Sequence, residues 1–234
     1  MMRVALEAPA ASRSNSPNIR GRLAHALGRR DERPNVTLAD DIASSMDSAA
    51  TRELVALLGA AEPRERHDAI KVLYEIAERR PRLLLRHVDA LLDASRSRDN
   101  RLVWGALTAL AVVAAAAPAR VGPHVAAVLD AAGRSSIIAR DQAVRVLVAV
   151  ASTHRYRTPA VRGVLDLTRR ATPNQIPLYC ERALPLAQAD QSLRARLRAV
   201  IRARVAGLPK LSQQARVLRV SARLDSRPRT RECP

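Results

Sequence analysis

Between about Pro63 and Asp130 the chain carries one pattern twice, offset by 37 residues. At that offset Ala69 falls on Ala106, Leu73 on Leu110, Ile76 on Val113 and Ala77 on Ala114. Pro81 falls on Pro118, His87 on His124, Val88 on Val125, Leu92 on Leu129 and Asp93 on Asp130. A third copy opens with Ala143, Leu147, Val150 and Ala151 and then drifts. A unit this short cannot bury its own apolar faces, so its neighbours must cover them.

Each unit holds two apolar stripes. In Arg64–Arg80 the apolar positions are Ala69, Ile70, Leu73, Ile76 and Ala77. Their spacing fits a helical period near 3.6 and not the alternation of a strand. The second stripe, Leu83, Leu84, Val88, Leu91 and Leu92, is also helical. Pro81 and Pro118 lie between stripes. Proline is tolerated at the first helical position, where the N–H has no partner, and it turns the preceding residue away from helix. The unit reads as helix, tight turn, helix.

The period, the intervening proline, the Ala-x-x-x-Leu-x-x-Ile/Val-Ala signature and Asp99-Asn100 before a helix together resemble HEAT repeats, over roughly Ala49–Leu208. The resemblance implies an all-α, right-handed solenoid of about four HEAT-like helical hairpins. It departs from the family where that family carries an early arginine: His67, Trp104 and Asp141 stand there. The short turn at Pro81 argues against the three-helix armadillo unit.

The rest of the chain is placed around the repeat. Residues 1–35 hold Ala, Ser, Asn, Pro and Arg with little periodicity and read as a disordered basic arm. Their Arg- and Ser-rich, acid-poor character also fits a transit peptide. Thr37 with Asp40 suggests a capping box and a helix start. The repeat domain spans 36–225, and 226–234 should fray. In the third unit Pro159 is expected to mark the turn between helices. A fourth, degenerate unit begins at Pro173-Asn174, with Ala183 falling 40 residues after Ala143. Pro185 should kink its helix.

Charge is uneven. The chain carries 38 Arg and 2 Lys against 22 acids, a formal net charge of +18. Residues 191–234 carry 12 basic and 2 acidic groups, so +10 of that total lies in the last 44 residues. Arg194, Arg198 and Arg202 recur every four residues and share one helix ridge. Arg216, Arg219 and Arg223 share a side of the next helix. Together they are the candidate surface for an anionic partner, by charge-assisted and often bidentate hydrogen bonds. The alternative is the polar outer face of a capping helix pair. Arg140, Arg145, Arg155, Arg157 and Arg162 form a smaller patch.

Trp104, the single tryptophan, is either a helix-end packing residue or a partner anchor. His87 and His124 occupy equivalent places in consecutive second helices; they form a ligand-binding ridge or simply an inter-repeat contact. No residue pattern supports catalysis: there is no Gly-rich phosphate loop, no nucleophile elbow and no His/Cys/Asp cluster at metal spacing. No cofactor is implied. Cys180 and Cys233 are too few for a disulfide framework, which suits the cytoplasm. No apolar run is long enough to span a membrane. The sequence therefore predicts a non-enzymatic scaffold that binds another protein along its concave, second-helix side. The alternative is nucleic-acid binding through the C-terminal arginines.

Overall fold

The computed structural model describes residues 18–226. Among these, every regular element is a helix. The helices are α1 (Arg33–Ser45), α2 (Ser48–Ala56), α3 (Pro63–Arg79), α4 (Val88–Ala94), α5 (Asn100–Ala116) and α6 (Pro118–Val121). They continue with α7 (Val125–Gly133), α8 (Ile137–Val150), α9 (His154–Arg170), α10 (Ile176–Ala189), α11 (Gln191–Val205) and α12 (Leu211–Asp225). Two layers form. The helices α1, α3, α5, α8, α10 and α12 stack in that order, and α2, α4, α7, α9 and α11 pack behind them.

Helix starts follow the sequence punctuation. The Asp47 carboxylate accepts from the Ala49 and Ala50 N–H groups at 2.9 Å and opens α2. Asp99 accepts from Arg101 N at 2.9 Å to open α5, and Asp190 accepts from Leu193 N at 3.0 Å to open α11. Each satisfies an N–H that has no intrahelical partner. The capping box expected at Thr37 does not form, because α1 already begins at Arg33 with Pro34 in its first turn.

The repeat is more regular than its sequence suggests. The 37-residue offset holds across five front-layer helices: Ala69, Ala106, Ala143, Cys180 and Val217 are all fully buried. A second buried column is Ile76, Val113, Val150, Ala187 and Leu224. Cys180, not Ala183, is therefore the counterpart of Ala143, and the inferred 40-residue step is corrected. Substitutions of Cys and Val for Ala hid the register without moving it.

The second stripe of each early unit is not one helix. After Pro81 a 3-10 turn, Pro81–Leu84, precedes α4. After Pro118 the short α6 and a 3-10 turn, Gly122–His124, precede α7. These units thus have three and four helical segments, and the single tight turn expected at Pro81 is replaced. In the third unit the break falls at residues 151–153, while Pro159 lies inside α9. As the sixth residue of that helix, Pro159 leaves the Arg155 carbonyl without its i→i−4 donor, a cost of one bond in the second turn.

Residues 18–35 belong to the folded body, although the sequence placed them in the arm. Ile19 and Leu23 join the core, and Ala24 is buried beside them in sequence. Asn35 Oδ1 accepts from Ala24 N at 2.9 Å, and Asp68 Oδ2 accepts from His25 N at 2.7 Å. Two apolar anchors and a buried polar clamp fix a segment whose composition alone looks too polar to fold. The rest of the expected arm, 1–17, and the expected tail from 227 lie outside the described residues.

Candidate functional site

The front layer presents a row of side chains at the repeat spacing. Lys71, Thr108, Arg145, Arg182 and Arg219 lie 37 residues apart on α3, α5, α8, α10 and α12. Each sits two residues before the column Leu73, Leu110, Leu147, Leu184 and Ser221. Two residues turn a helix by about 200°. The four leucines of that column are buried, so the row points away from the core.

The row is cationic, and its charge is progressively less compensated along the stack. Lys71 Nζ lies 2.7 Å from Glu75 and 3.2 Å from Glu32. Burial pushes its ammonium down, but hydrogen bonds to Glu75, Tyr74 and Glu32 outweigh this and hold it above the usual lysine value. Arg145 reaches Glu78 only at 4.0 Å and donates to Gln142 at 2.8 Å. Arg182 donates to the Asp141 carbonyl at 2.6 Å and has no acid within ion-pair distance among the described residues. Burial, and then the charge of Arg145, lower its guanidinium from the usual value. Arg219 is exposed and forms no ion pair among the described residues.

An aromatic pair borders the compensated end. Trp104 on α5 tilts against Tyr74 on α3, with centroids 5.6 Å apart at 46°. The Lys71 ammonium sits 4.7 Å from the Tyr74 ring centroid. Trp104 is half-buried, so it packs on a neighbour and still shows a face to solvent.

The other sequence candidates do not converge. His87 and His124 precede α4 and α7 in the rear layer. His124 approaches Asp89 of the preceding unit at 3.8 Å. His87 is half-buried; burial and then the charges of Arg86 and Arg52 lower its pKa. The C-terminal arginines divide into two sets. Arg194 donates to the Ala187 carbonyl at 3.2 Å and the Gln188 carbonyl at 2.7 Å, closing the end of α10. Arg198 donates to the Leu224 carbonyl at 2.8 Å and pairs with Asp225 at the end of α12. Both therefore satisfy helix C-termini. Arg216 makes a bidentate pair with Glu181 at 2.9 and 2.6 Å. Arg202, Arg219 and Arg223 remain exposed.

The described residues contain no group of three or more His, Cys, Asp or Glu placed to hold a metal ion. No described helix is long and apolar enough to cross a membrane. Cys180 is buried, and burial followed by the Glu181 charge pushes its thiol up to about 12.

Solved structures share this architecture. A designed armadillo repeat protein in complex with the peptide (KR)4 aligns with a TM-score of 0.66 at 14% identity, covering 90% of this chain and 96% of that one. An engineered protein aligns at 0.58 and 16% identity over 88% of this chain and 96% of its own. A second designed armadillo repeat protein aligns at 0.55 and 13% identity, covering 89% and 100%. The fold is an armadillo-like helical solenoid. No family model and no curated protein matches the chain at a significant level.

Sequence reasoning missed most of the solenoid's row. Arg145 appeared only within a loose patch and Arg219 only within the C-terminal surface. The signal was present: extending the 37-residue step beyond the first two units lands on Arg145, Arg182 and Arg219 in turn.

Proposed function

We propose that the chain is a non-enzymatic scaffold that binds an acidic, extended protein segment along the front layer. The row Lys71–Thr108–Arg145–Arg182–Arg219 carries this reading. It favours the front layer over the second-helix side that the repeat alone suggested. Neighbouring stacked helices lie about 8–10 Å apart. Three residues of polyproline II chain rise about 9 Å. An acidic side chain at every third residue would thus meet one row residue per helix, a cation on every row helix but α5, and the less compensated charges at Arg145, Arg182 and Arg219 would contribute most. The aromatic pair Tyr74–Trp104 supplies an apolar wall beside the row. A designed armadillo repeat protein of the same fold is found with the basic peptide (KR)4; here the row has the charge suited to the opposite sign.

Fluorescence anisotropy with labelled (Glu-Ala-Pro)4 tests the reading, against a scrambled peptide of equal composition and against (Lys-Ala-Pro)4. The periodic acidic peptide should bind most tightly, and Arg145→Glu with Arg219→Glu should weaken it at least tenfold. Equal binding of the periodic and scrambled peptides would remove the register argument. Exposed Arg202, Arg219 and Arg223 favour nucleic acid as the second reading. It predicts that duplex DNA or RNA displaces the peptide, with affinity falling steeply as salt rises.

A further inference from the structure

A second cationic site lies at the N-terminal edge of the solenoid. A hollow of about 550 Å³ opens where the starts of α3 and α5 meet the loop before α1. Arg29, Arg30, Arg64 and Arg101 line it, with His25 and His67. We propose that this hollow binds the phosphoryl group of a phosphorylated ligand.

Its walls are fixed by buried bonds. Asp68, at the floor, accepts from His25 N at 2.7 Å and from Asn35 Nδ2 at 2.8 Å. Asn35 is fully buried and accepts from Ala24 N at 2.9 Å. Gly28 then adopts a φ of +64°, a left-handed conformation that glycine takes without a Cβ penalty. The turn brings Arg29 N back to the Ala24 carbonyl at 2.9 Å and sets Arg29 and Arg30 at the rim.

The charges of the hollow are unequally engaged. Arg29 donates to Asp31 at 2.9 and 2.7 Å, and Arg101 pairs with Glu32. His67 Nε2 lies 2.6 Å from the Asp99 carboxylate. Arg30 and Arg64 are exposed, and their guanidiniums have no hydrogen bond or ion pair among the described residues. Two uncommitted guanidiniums, backed by two more, suit an oxyanion with several acceptor oxygens. A phosphoryl group presents such oxygens and carries nearly two charges at neutral pH. Among the described residues no Phe, Tyr or Trp side chain lines the hollow, so the phosphoryl group itself is the recognised part.

Isothermal titration of the full chain at fixed ionic strength tests this, using inorganic pyrophosphate, an O-phosphoserine peptide and sulfate as probes. At least one phosphorylated probe should bind more than tenfold tighter than sulfate. Stronger binding of pyrophosphate assigns a small phosphorylated molecule; stronger binding of the peptide assigns a phosphorylated side chain. Arg30→Ala with Arg64→Ala should weaken that probe at least tenfold, while Arg82→Ala with Arg86→Ala, exposed and remote from the hollow, should leave it unchanged. Arg30→Gln alone, on the exposed loop, should weaken it severalfold and serves if the double variant does not fold. No binding of either phosphorylated probe, or unchanged affinity in a folded Arg30 and Arg64 variant, overturns the proposal.

Discussion

Tyr179 on α10 donates its hydroxyl to the Asp141 carboxylate on α8 at 2.7 Å. Gln175 reaches the same carboxylate oxygen at 2.8 Å, and Arg182 bonds the Asp141 carbonyl at 2.6 Å. Three residues of the fourth unit thus converge on one residue of the third. Burial, and then Asp141, hold the Tyr179 phenol above its usual pKa, so it remains a donor at neutral pH.

Asp141→Ala should therefore destabilise the solenoid by about 1–3 kcal/mol, because the buried Tyr179 hydroxyl loses the acceptor of its O–H and keeps only Gln175 as a donor to it. Urea unfolding measures the loss. Adding Tyr179→Phe should recover part of it, since the stranded hydroxyl is then gone. Full additivity of the two changes would show that the bond contributes nothing.

Leu110→Ala should cost about 2–5 kcal/mol, as expected for a fully buried leucine in a close-packed core. Its column neighbours Leu73 and Leu147 are fully buried as well. A thermal melt within a degree of the parent would contradict the register.

These two cases show how much of the fold was legible. Leu110 follows from helical spacing and repeat offset alone, and the helix boundaries at Pro63 and Asp99 follow from their local chemistry. Asp141 was placed correctly in the repeat, but its partners could not be read, because they come from a unit whose Ala column had become Cys180 and Val217. The folding of residues 18–35 was hidden for a different reason. Its anchors, Ile19 and Leu23, are too few for a periodic signal, and its clamp joins Asn35 to Asp68 across a long separation in sequence. At the surface, pattern found the arginines of α11 and α12 but not their use. Arg194 and Arg198 bond backbone carbonyls, and a helix end that needs such a donor leaves no mark on the arginine itself.

Acid should weaken the fold through Glu75. Burial raises its pKa, but hydrogen bonds to Lys71 and Arg79 lower it more, so the folded value lies below the usual 4.5. The folded state then binds fewer protons than the unfolded chain. The contribution is complete above the usual value and is lost as pH falls through the lowered one. Urea midpoints measured from pH 6 to pH 3 should fall, and Glu75→Gln should flatten part of that slope.

Cys180 should resist alkylation in the folded chain at pH 8, since its buried thiol has a pKa of about 12 and thiolate is the reactive form. In a Cys233→Ser variant, iodoacetamide labelling should follow the unfolding curve. Rapid labelling of the native chain would place the thiol at the surface.

The 37-residue step of the buried columns from α3 to α12 makes the solenoid a molecule whose length is separable from its architecture. Each front helix meets its successor through the same columns, so an inserted copy of residues 100–136 would find a compatible surface on both sides. Such a duplication would lengthen the outward row by one residue and leave the remaining row positions in register. A gene encoding this chain can lengthen the solenoid by copying one segment, without redesigning any interface.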